Sequence, residues 1–153
     1  MFRVLVVTAI AVGAFLIKGN KNNKTIFISY RYVADGKYKN LLKAWSKNSI
    51  FKLDFDDYST DVSINSNNKS VVRRVVSSKI KKSDVFMCIV GESTHKSSWV
   101  EWEINKAVEL GKSIVAVKTK KKNKTPAALK NNGVSWAMSF KEKSIMNAIN
   151  ECL

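Results

Sequence analysis

Hydrophobic runs of strand length alternate with helical patterns along most of this 153-residue chain. From residue 25 onward the strand-like runs are TIFISY, IFKLDFDD, DVFMCIVG, SIVAVKT and SWAMSF. The stretches between them repeat their apolar residues at helical spacing, as in KYKNLLKAWSKN and KSVVRRVVSSKIKK. Alternation of this kind predicts an α/β domain, with a parallel sheet of about five strands and helices on both faces.

Three loops are expected to meet at one edge of this sheet, because each follows the carboxyl end of a parallel strand. Ligands of such folds bind at that edge. They comprise residues 30–37, 56–68 and 91–98. The next helix begins at the third loop with SSWVEWEINKAVELGK, and Gly111 favours its end. The cleft between these loops is the predicted binding site.

That helix carries three glutamates within nine positions: Glu101, Glu103 and Glu109. On a helical wheel centred on Ile104, Glu101 lies about 60° to one side and Glu103 about 100° to the other. Periodicity therefore does not choose between these two acids. All three can equally serve to solvate the helix, and acids near a helix N-terminus are favourable in any case.

Composition narrows the possible functions without deciding one. Lys and Arg number 27 against 12 acids, a net charge of +15, which attracts nucleic acid, anionic lipid or phosphorylated metabolites. The basic residues are scattered and no stripe of aromatic and basic residues is present, so nucleic-acid binding is not expected. With Cys88, Cys152 and the single His95, the chain has no disulfide framework, no paired-cysteine metal motif and no multi-histidine site. We predict no metal and a reducing, cytosolic environment for the domain.

An apolar run free of charge, residues 4–17, precedes the domain. As a helix it spans roughly 21 Å, short of the roughly 30 Å hydrocarbon core, although flanking Arg3 and Lys18 can snorkel outward. A cleaved signal peptide is the alternative, but no good small-x-small cleavage site follows. We therefore expect an N-terminal hydrophobic helix as an anchor at 1–18, a linker at 19–24 and the domain at 25–153. Under the positive-inside rule the domain faces the cytoplasm, either at the membrane or, without the anchor, free in it.

Common motifs of nucleotide binding and of serine hydrolysis are missing. The chain has no GxGxxG turn, no GxxxxGK[ST] loop and no GxSxG elbow. Asp54, Asp56 and Asp57 cluster at the end of the second predicted strand, as in the acidic pocket of a receiver domain. The third strand ends in CIVGES, without the aspartate that a phosphorelay needs there, so that interpretation is disfavoured.

Four segments carry a family resemblance: TIFISYRY, FDFDD, SDVFMCIVGEST and SSWVEWEINKAVELGKSIVAV. In this order they resemble the TIR domain. FDDYSTDVSI and TPAALKNNGVSW are most similar to the TIR-like branch of the Thoeris anti-phage system, that of ThsB. The resemblance covers residues 25–153 and implies a flavodoxin-like TIR fold. It also implies an enzyme that cleaves NAD between nicotinamide and ribose, with NAD as substrate and no cofactor. The product that the resemblance implies is ADP-ribose or a cyclic isomer that activates an effector protein.

The resemblance also assigns the site residues. Its W-x-x-x-E arrangement matches Trp99 and Glu103. The resemblance therefore implies that Glu103 is the catalytic residue and that Glu101 has no catalytic role. A carboxylate there would stabilise oxocarbenium character on the ribose. Trp99 either packs the helix start against the sheet or stacks on the substrate.

The remaining residues that the resemblance assigns to substrate binding come from the first two loops. Ser29, Tyr30 and Arg31 would line the cleft, and Arg31 suits phosphate oxygens. Asp56 and Asp57 fall in the loop that closes the site and mediates TIR–TIR self-association. Two other functions stay open: a non-catalytic TIR adaptor that signals by self-association, and a basic protein that binds membrane surfaces or nucleic acid.

Overall fold

The computed structural model describes residues 24–48, 53–56 and 69–153, with the backbone alone for residues 48 and 53–56. Within these residues, five strands form one sheet in the order β2-β1-β3-β4-β5, and every neighbouring pair is parallel. The strands are β1 (Lys24–Ser29), β2 (Leu53–Asp56), β3 (Val85–Val90), β4 (Ser113–Lys118) and β5 (Ser135–Ala137). The predicted parallel α/β sheet is confirmed.

Four α-helices lie in the described ranges: α1 (Tyr32–Asn48), α2 (Lys69–Lys82), α3 (Ser98–Glu109) and α4 (Glu142–Cys152). Apolar residues of α1 and α4 pack on one face of the sheet and those of α2 and α3 on the other. Short 3₁₀ turns precede α3 at Thr94–Lys96 and β5 at Ala127–Leu129. The three-layer arrangement buries β3 on both faces, which explains its continuous apolar sequence.

The alternation of side chains along β1 decides what reaches each face. Ile26 and Ile28 belong to the core beneath α1 and α4, whereas Phe27 belongs to the core beneath α2 and α3. Successive side chains of a strand point to opposite faces. Ser29, at the end of β1, therefore lies on the side of α3, and Tyr30 lies in the core on the side of α1.

The strand order reverses beside β1. From β1 the chain passes to β2 on one side and then returns to β3 on the other. The carboxyl ends of β1 and β3 thus flank the switch point, where ligands of open α/β sheets bind. The α3 helix follows β3 from this edge.

The structure contradicts the membrane location expected from the sequence. Within residues 24–48, 53–56 and 69–153, no helix is long and apolar enough to cross a membrane. The longest, α1, has 17 residues, about 26 Å at the helical rise against the roughly 30 Å hydrocarbon core. Lysines are also spread along it. The predicted anchor at 1–18 lies outside the described residues, as does the linker at 19–24 except Lys24, which opens β1; the domain boundary at 25 stays a prediction.

Candidate active site

The α3 helix is fixed at both ends by local sequence. Ser97 caps its start, and the Ser97 hydroxyl oxygen accepts a hydrogen bond from the Val100 N–H at 3.1 Å. At the other end Gly111 adopts a positive φ of 67°, which glycine tolerates without steric cost. The buried face of the helix carries Val100, Glu103, Ile104 and Ala107. Glu103 is thus the one acidic residue among the buried residues of this helix, and the other three are apolar.

Glu103 is fully buried and meets the end of the first strand. Its Oε1 accepts a hydrogen bond of 2.6 Å from the hydroxyl of Ser29, which is itself buried. Its Oε2 is buried without a hydrogen-bond partner. A buried carboxyl with one free oxygen is costly for the fold and is typical of a functional group.

Burial also changes the protonation of this group. Desolvation raises the pKa of Glu103 to about 8, while the Ser29 hydroxyl and the Trp99 N–H act in the opposite direction. With that pKa, only roughly a tenth of the carboxyl is ionised at pH 7. A ligand that binds the ionised form of Glu103 must therefore displace a proton from its carboxyl group.

Trp99 lies one helical turn before Glu103 on α3. Its ring stacks on Trp102, with centroids 4.9 Å apart and planes inclined by 30°, and Arg73 lies 5.4 Å from the Trp102 centroid. The indole N–H is near enough to lower the pKa of Glu103. It does not reach hydrogen-bonding geometry, since Trp99 Nε1 is buried without a partner. The Trp99 ring therefore packs against Trp102, and its N–H makes no hydrogen bond.

The other predicted site residues are less tightly grouped. Tyr30 is buried on the α1 side, with the Lys39 ammonium 5.7 Å from its ring centroid. Arg31 is exposed and donates from Nη1 to the Ser93 carbonyl at 3.2 Å. Asp56 ends β2 beside Phe27 of β1, and Asp57 lies outside the described residues. The structure thus brings Ser29, Trp99 and Glu103 together. The chain directs Tyr30 to the opposite layer.

A second buried acid at this edge was missed in the sequence. Asp35, in the first turn of α1, is 4% exposed, and burial raises its pKa. It rests against Gly91, where any Cβ would collide with its carboxyl oxygens. The Thr94 hydroxyl accepts from the Gly91 N–H at 2.8 Å and donates toward Ile89 O (3.2 Å) and Asp35 Oδ2 (3.4 Å). The lone glycine after β3 was the available signal, but nothing in the sequence pairs it with Asp35.

A polar cleft of about 210 Å³ opens beside this acid. Two cationic side chains, Lys37 and Lys120, and two acidic ones, Asp35 and Glu92, line it. Its lining residues come from α1 and from the loops after β3 and β4: Ala34, Asp35, Lys37, Tyr38, Glu92, Ser93, Thr119, Lys120 and Asn123. Among residues 24–48, 53–56 and 69–153, no three His, Cys, Asp or Glu side chains are grouped as a metal site requires.

Comparison with known proteins identifies the family of this chain. The family model described as "Thoeris protein ThsB, TIR-like domain" matches residues 27–124, a range that includes both Ser29 and Glu103. The chain belongs to this family. The TIR-like resemblance inferred from the sequence is thereby confirmed, and no curated protein matches the chain.

Solved structures support the fold of this TIR-like family member. The Clostridium botulinum CMP N-glycosidase BcmB is similar at 18% identity and a TM-score of 0.57, covering 85% of this chain and 100% of that one. A conserved protein from Enterococcus faecalis V583 has 13% identity and a TM-score of 0.60, with 86% and 100% covered. The TIR domains of the activated Roq1 resistosome follow at 16% identity and a TM-score of 0.48, with 70% and 68% covered. At these identities the first two likenesses concern the fold alone, and the third, with a TM-score below 0.5, supports no argument.

Proposed function

We propose that this protein is a Thoeris-type anti-phage enzyme that cleaves the N-glycosidic bond between nicotinamide and ribose in NAD. It releases nicotinamide and forms ADP-ribose or a cyclic isomer of ADP-ribose, which acts as a diffusible signal for an effector protein. The observation that carries the proposal is the buried Glu103 carboxyl beside the switch point, with Oε1 held by Ser29 and Oε2 free. Membership in the TIR-like family supports the same reaction.

The chemistry of NAD suits a carboxylate more than an acid. The nicotinamide ring is already cationic, so the C1′–N bond breaks with its electron pair passing to the ring nitrogen. Nicotinamide leaves neutral, and positive charge develops on the ribose. Ionised Glu103 stabilises that charge. Water then adds to C1′ and loses a proton, or a nucleophile of the same molecule adds and gives a cyclic product.

The high pKa of Glu103 is compatible with this role. Burial raises that pKa, and a cationic nicotinamide nearby would lower it again, because an opposite charge favours the ionised form. Substrate binding would thereby generate the catalytic carboxylate. On this proposal kcat/KM for NAD rises with pH through the pKa of Glu103.

A second substrate class is favoured by one observation. A carboxyl that keeps its proton at neutral pH can act as a general acid, and a neutral pyrimidine needs protonation to leave. The fold is similar to that of a CMP N-glycosidase. A nucleoside monophosphate is therefore the alternative substrate, and for it kcat/KM falls as pH rises through the pKa of Glu103. The two pH dependences have opposite signs and separate the two substrates.

The deciding experiment measures nucleotide turnover in lysates of phage-infected cells that carry wild-type protein, Glu103→Gln or the control Glu101→Gln. NAD, nicotinamide, ADP-ribose isomers and CMP are quantified. NAD loss with nicotinamide release in wild type and Glu101→Gln, absent in Glu103→Gln, supports the proposal. CMP loss with the same dependence on Glu103 supports the alternative. Infected cells are the proper setting, because TIR sites of this type are expected to be complete only after self-association, here through the loop containing Asp56 and Asp57.

Equal behaviour of wild type and Glu103→Gln, with both proteins expressed and folded, contradicts catalysis. A non-catalytic adaptor that self-associates would then be the better explanation. The net charge of +15 motivates one further control, binding to duplex DNA at low salt. Affinity that falls steeply with added salt would support a nucleic-acid function.

A further inference from the structure

The polar cleft beside Asp35 is lined by two buried residues that carry hydrogen-bond acceptors. Asp35 is 4% exposed and Asn123 is 5% exposed. The amide of Asn123 has one possible orientation, because its Nδ2 donates at 2.9 Å to the Val90 carbonyl, which can only accept. Its Oδ1 is left buried without a partner. Buried polar atoms are rarely left unpaired, so this cleft suits a ligand that donates hydrogen bonds.

The rim of the cleft differs from its interior. Lys37, Lys120 and Glu92 line it with exposed side chains. Residues 121 and 122, which follow on the loop after β4, are exposed lysines as well. The rim therefore carries more cationic than acidic groups, whereas the interior carries acceptors. A ligand that matches both parts has hydrogen-bond donors at one end and anionic oxygens at the other.

A ribose that bears a phosphate has both features. Its 2′- and 3′-hydroxyls are neighbouring donors, which a carboxylate can accept together, as an acidic residue does in dinucleotide-binding folds. We propose that the cleft binds the adenosine half of NAD, with the ribose hydroxyls at Asp35 and Asn123 and the pyrophosphate at Lys37 and Lys120, so that Asp35 excludes NADP. This inference rests on the proposed function and adds a second subsite to it. NADP carries a phosphate on the 2′-oxygen of that ribose, which removes a donor and brings negative charge to the Asp35 carboxylate.

The cleft and Glu103 lie at the same edge of the sheet. Glu103 meets Ser29 at the end of β1 on the α3 side, and Asp35 belongs to α1, which packs on the other face. Arg31, two residues after Ser29, donates to the carbonyl of Ser93, which lines the cleft. Neighbouring strands are only about 4.8 Å apart. A dinucleotide that crosses the switch point can therefore place its nicotinamide ribose at Glu103 and its adenosine ribose at Asp35.

The test compares NAD with NADP in wild type, Asp35→Asn and the control Asp84→Asn, each isolated from phage-infected cells. Asparagine matches aspartate in size, and its side-chain oxygen can still accept from Thr94. Asp84 is exposed and accepts from the Thr25 N–H at the amino edge of the sheet. The control therefore removes the same charge far from the cleft. Nicotinamide release gives kcat and KM for both substrates, in which the same bond breaks.

The ratio of kcat/KM for NAD to that for NADP should fall about tenfold in Asp35→Asn, the effect of one charge-assisted contact in a buried site. Most of the change should be in KM, because Asp35 does not touch the bond that breaks. In Asp84→Asn the ratio should stay within about twofold of wild type. If Asp35→Asn slows both substrates by the same factor, Asp35 serves the fold alone and the inference is wrong. An equal fall in Asp84→Asn would also overturn it, because net charge would then set the preference.

The pyrophosphate contact has its own variant. Lys120→Gln should raise KM for NAD about threefold or more, because one cation beside the phosphates is lost. Lys143→Gln, which removes an exposed lysine of α4, should leave KM unchanged. Equal KM values in the two variants would contradict the placement of the pyrophosphate at this rim.

Failure of the proposed function gives a different result, the absence of nicotinamide release from NAD by wild type. In that case calorimetry measures the binding of AMP and of adenosine 2′,5′-bisphosphate to wild type, Asp35→Asn and Asp84→Asn. A wild-type preference for AMP that is lost in Asp35→Asn and persists in Asp84→Asn supports the adenosine subsite. A wild type that binds neither nucleotide, or binds both equally, contradicts it. Thermal unfolding of all variants shows whether each is folded.

Discussion

The hydroxyl of Ser29 donates a 2.6 Å hydrogen bond to Glu103 across 74 positions of sequence. Ser29 ends β1, and Glu103 lies in the second turn of α3. Both side chains are buried, so the bond exists only where the strand end and the helix are packed together. It joins the two sides of the switch point and holds the candidate catalytic carboxyl in one orientation. The predictions below depend on this contact and on the packing around it.

The first prediction separates the two glutamates at the start of α3. Glu103→Gln should lower kcat for nicotinamide release at least ~100-fold, because a neutral amide does not stabilise developing positive charge as a carboxylate does. Glu101→Gln should stay within about threefold of wild type, since Glu101 is only half-buried and has no place in the Ser29 contact. Steady-state assays of both variants check this. Equal losses in the two variants would contradict the assignment to Glu103.

The second prediction concerns stability as a function of pH. The pKa of Glu103 is raised from its ordinary value of 4.5 to about 8 by burial. Between those values the native state holds a proton that the unfolded chain has released. The free energy of unfolding contributed by this group is therefore complete below pH 4.5, is lost as pH rises from 4.5 to about 8, and changes no further above that pH.

Glu103→Gln removes this titration and should gain stability relative to wild type as pH rises. The difference in unfolding free energy between the two proteins should grow by more than ~1 kcal/mol from pH 5 to pH 8.5. Urea unfolding at both pH values measures it. Asp35, whose pKa is also raised by burial, is present in both proteins and cancels in the difference. A difference that does not change with pH would mean that Glu103 is not buried as described.

The third prediction tests the Ser29 hydroxyl itself. That hydroxyl lowers the pKa of Glu103, so Ser29→Ala should raise it further, by about one unit. The rising limb of kcat/KM for NAD should then move to higher pH by a similar amount. The control is Ser83→Ala, which removes another buried serine hydroxyl, one that donates to the Ile80 carbonyl at 2.8 Å. A pH profile that shifts in both variants, or in neither, would disagree with the proposed contact.

The fourth prediction concerns the contact between Gly91 and Asp35. Gly91→Ala places a methyl group against the buried Asp35 carboxyl and should destabilise the fold by about 1–3 kcal/mol. Asp35→Ala in the same chain should make Gly91→Ala nearly neutral, which a double-mutant cycle measures by thermal or urea unfolding. Gly36→Ala is the matched control, because its methyl group meets only Tyr30 at 4.0 Å. In the interior of α1 it should stabilise by about 0.5–1 kcal/mol. Additive effects of Gly91→Ala and Asp35→Ala would contradict the contact.

The order of the elements was available from the sequence because each kind of element leaves its own pattern. Strands buried on both faces read as continuous apolar runs, most clearly in β3, and amphipathic helices repeat at helical spacing. The family motifs then placed Glu103 at the start of one helix. The predicted membrane location was wrong because it rested on residues 1–18 alone, and no helix within the described part of the chain supports it.

What only the tertiary structure decided is which polar groups meet. A helical wheel gives the angles of Glu101 and Glu103 from the apolar face of α3, but it does not say which flank of that face borders β1. Packing of α3 on the sheet turns Glu103 toward Ser29, and it brings Asp35 of α1 against Gly91 after β3. Local sequence determines strands and helices because their periodicities are short-range. The site depends on contacts between distant segments, and these are fixed only when the layers pack.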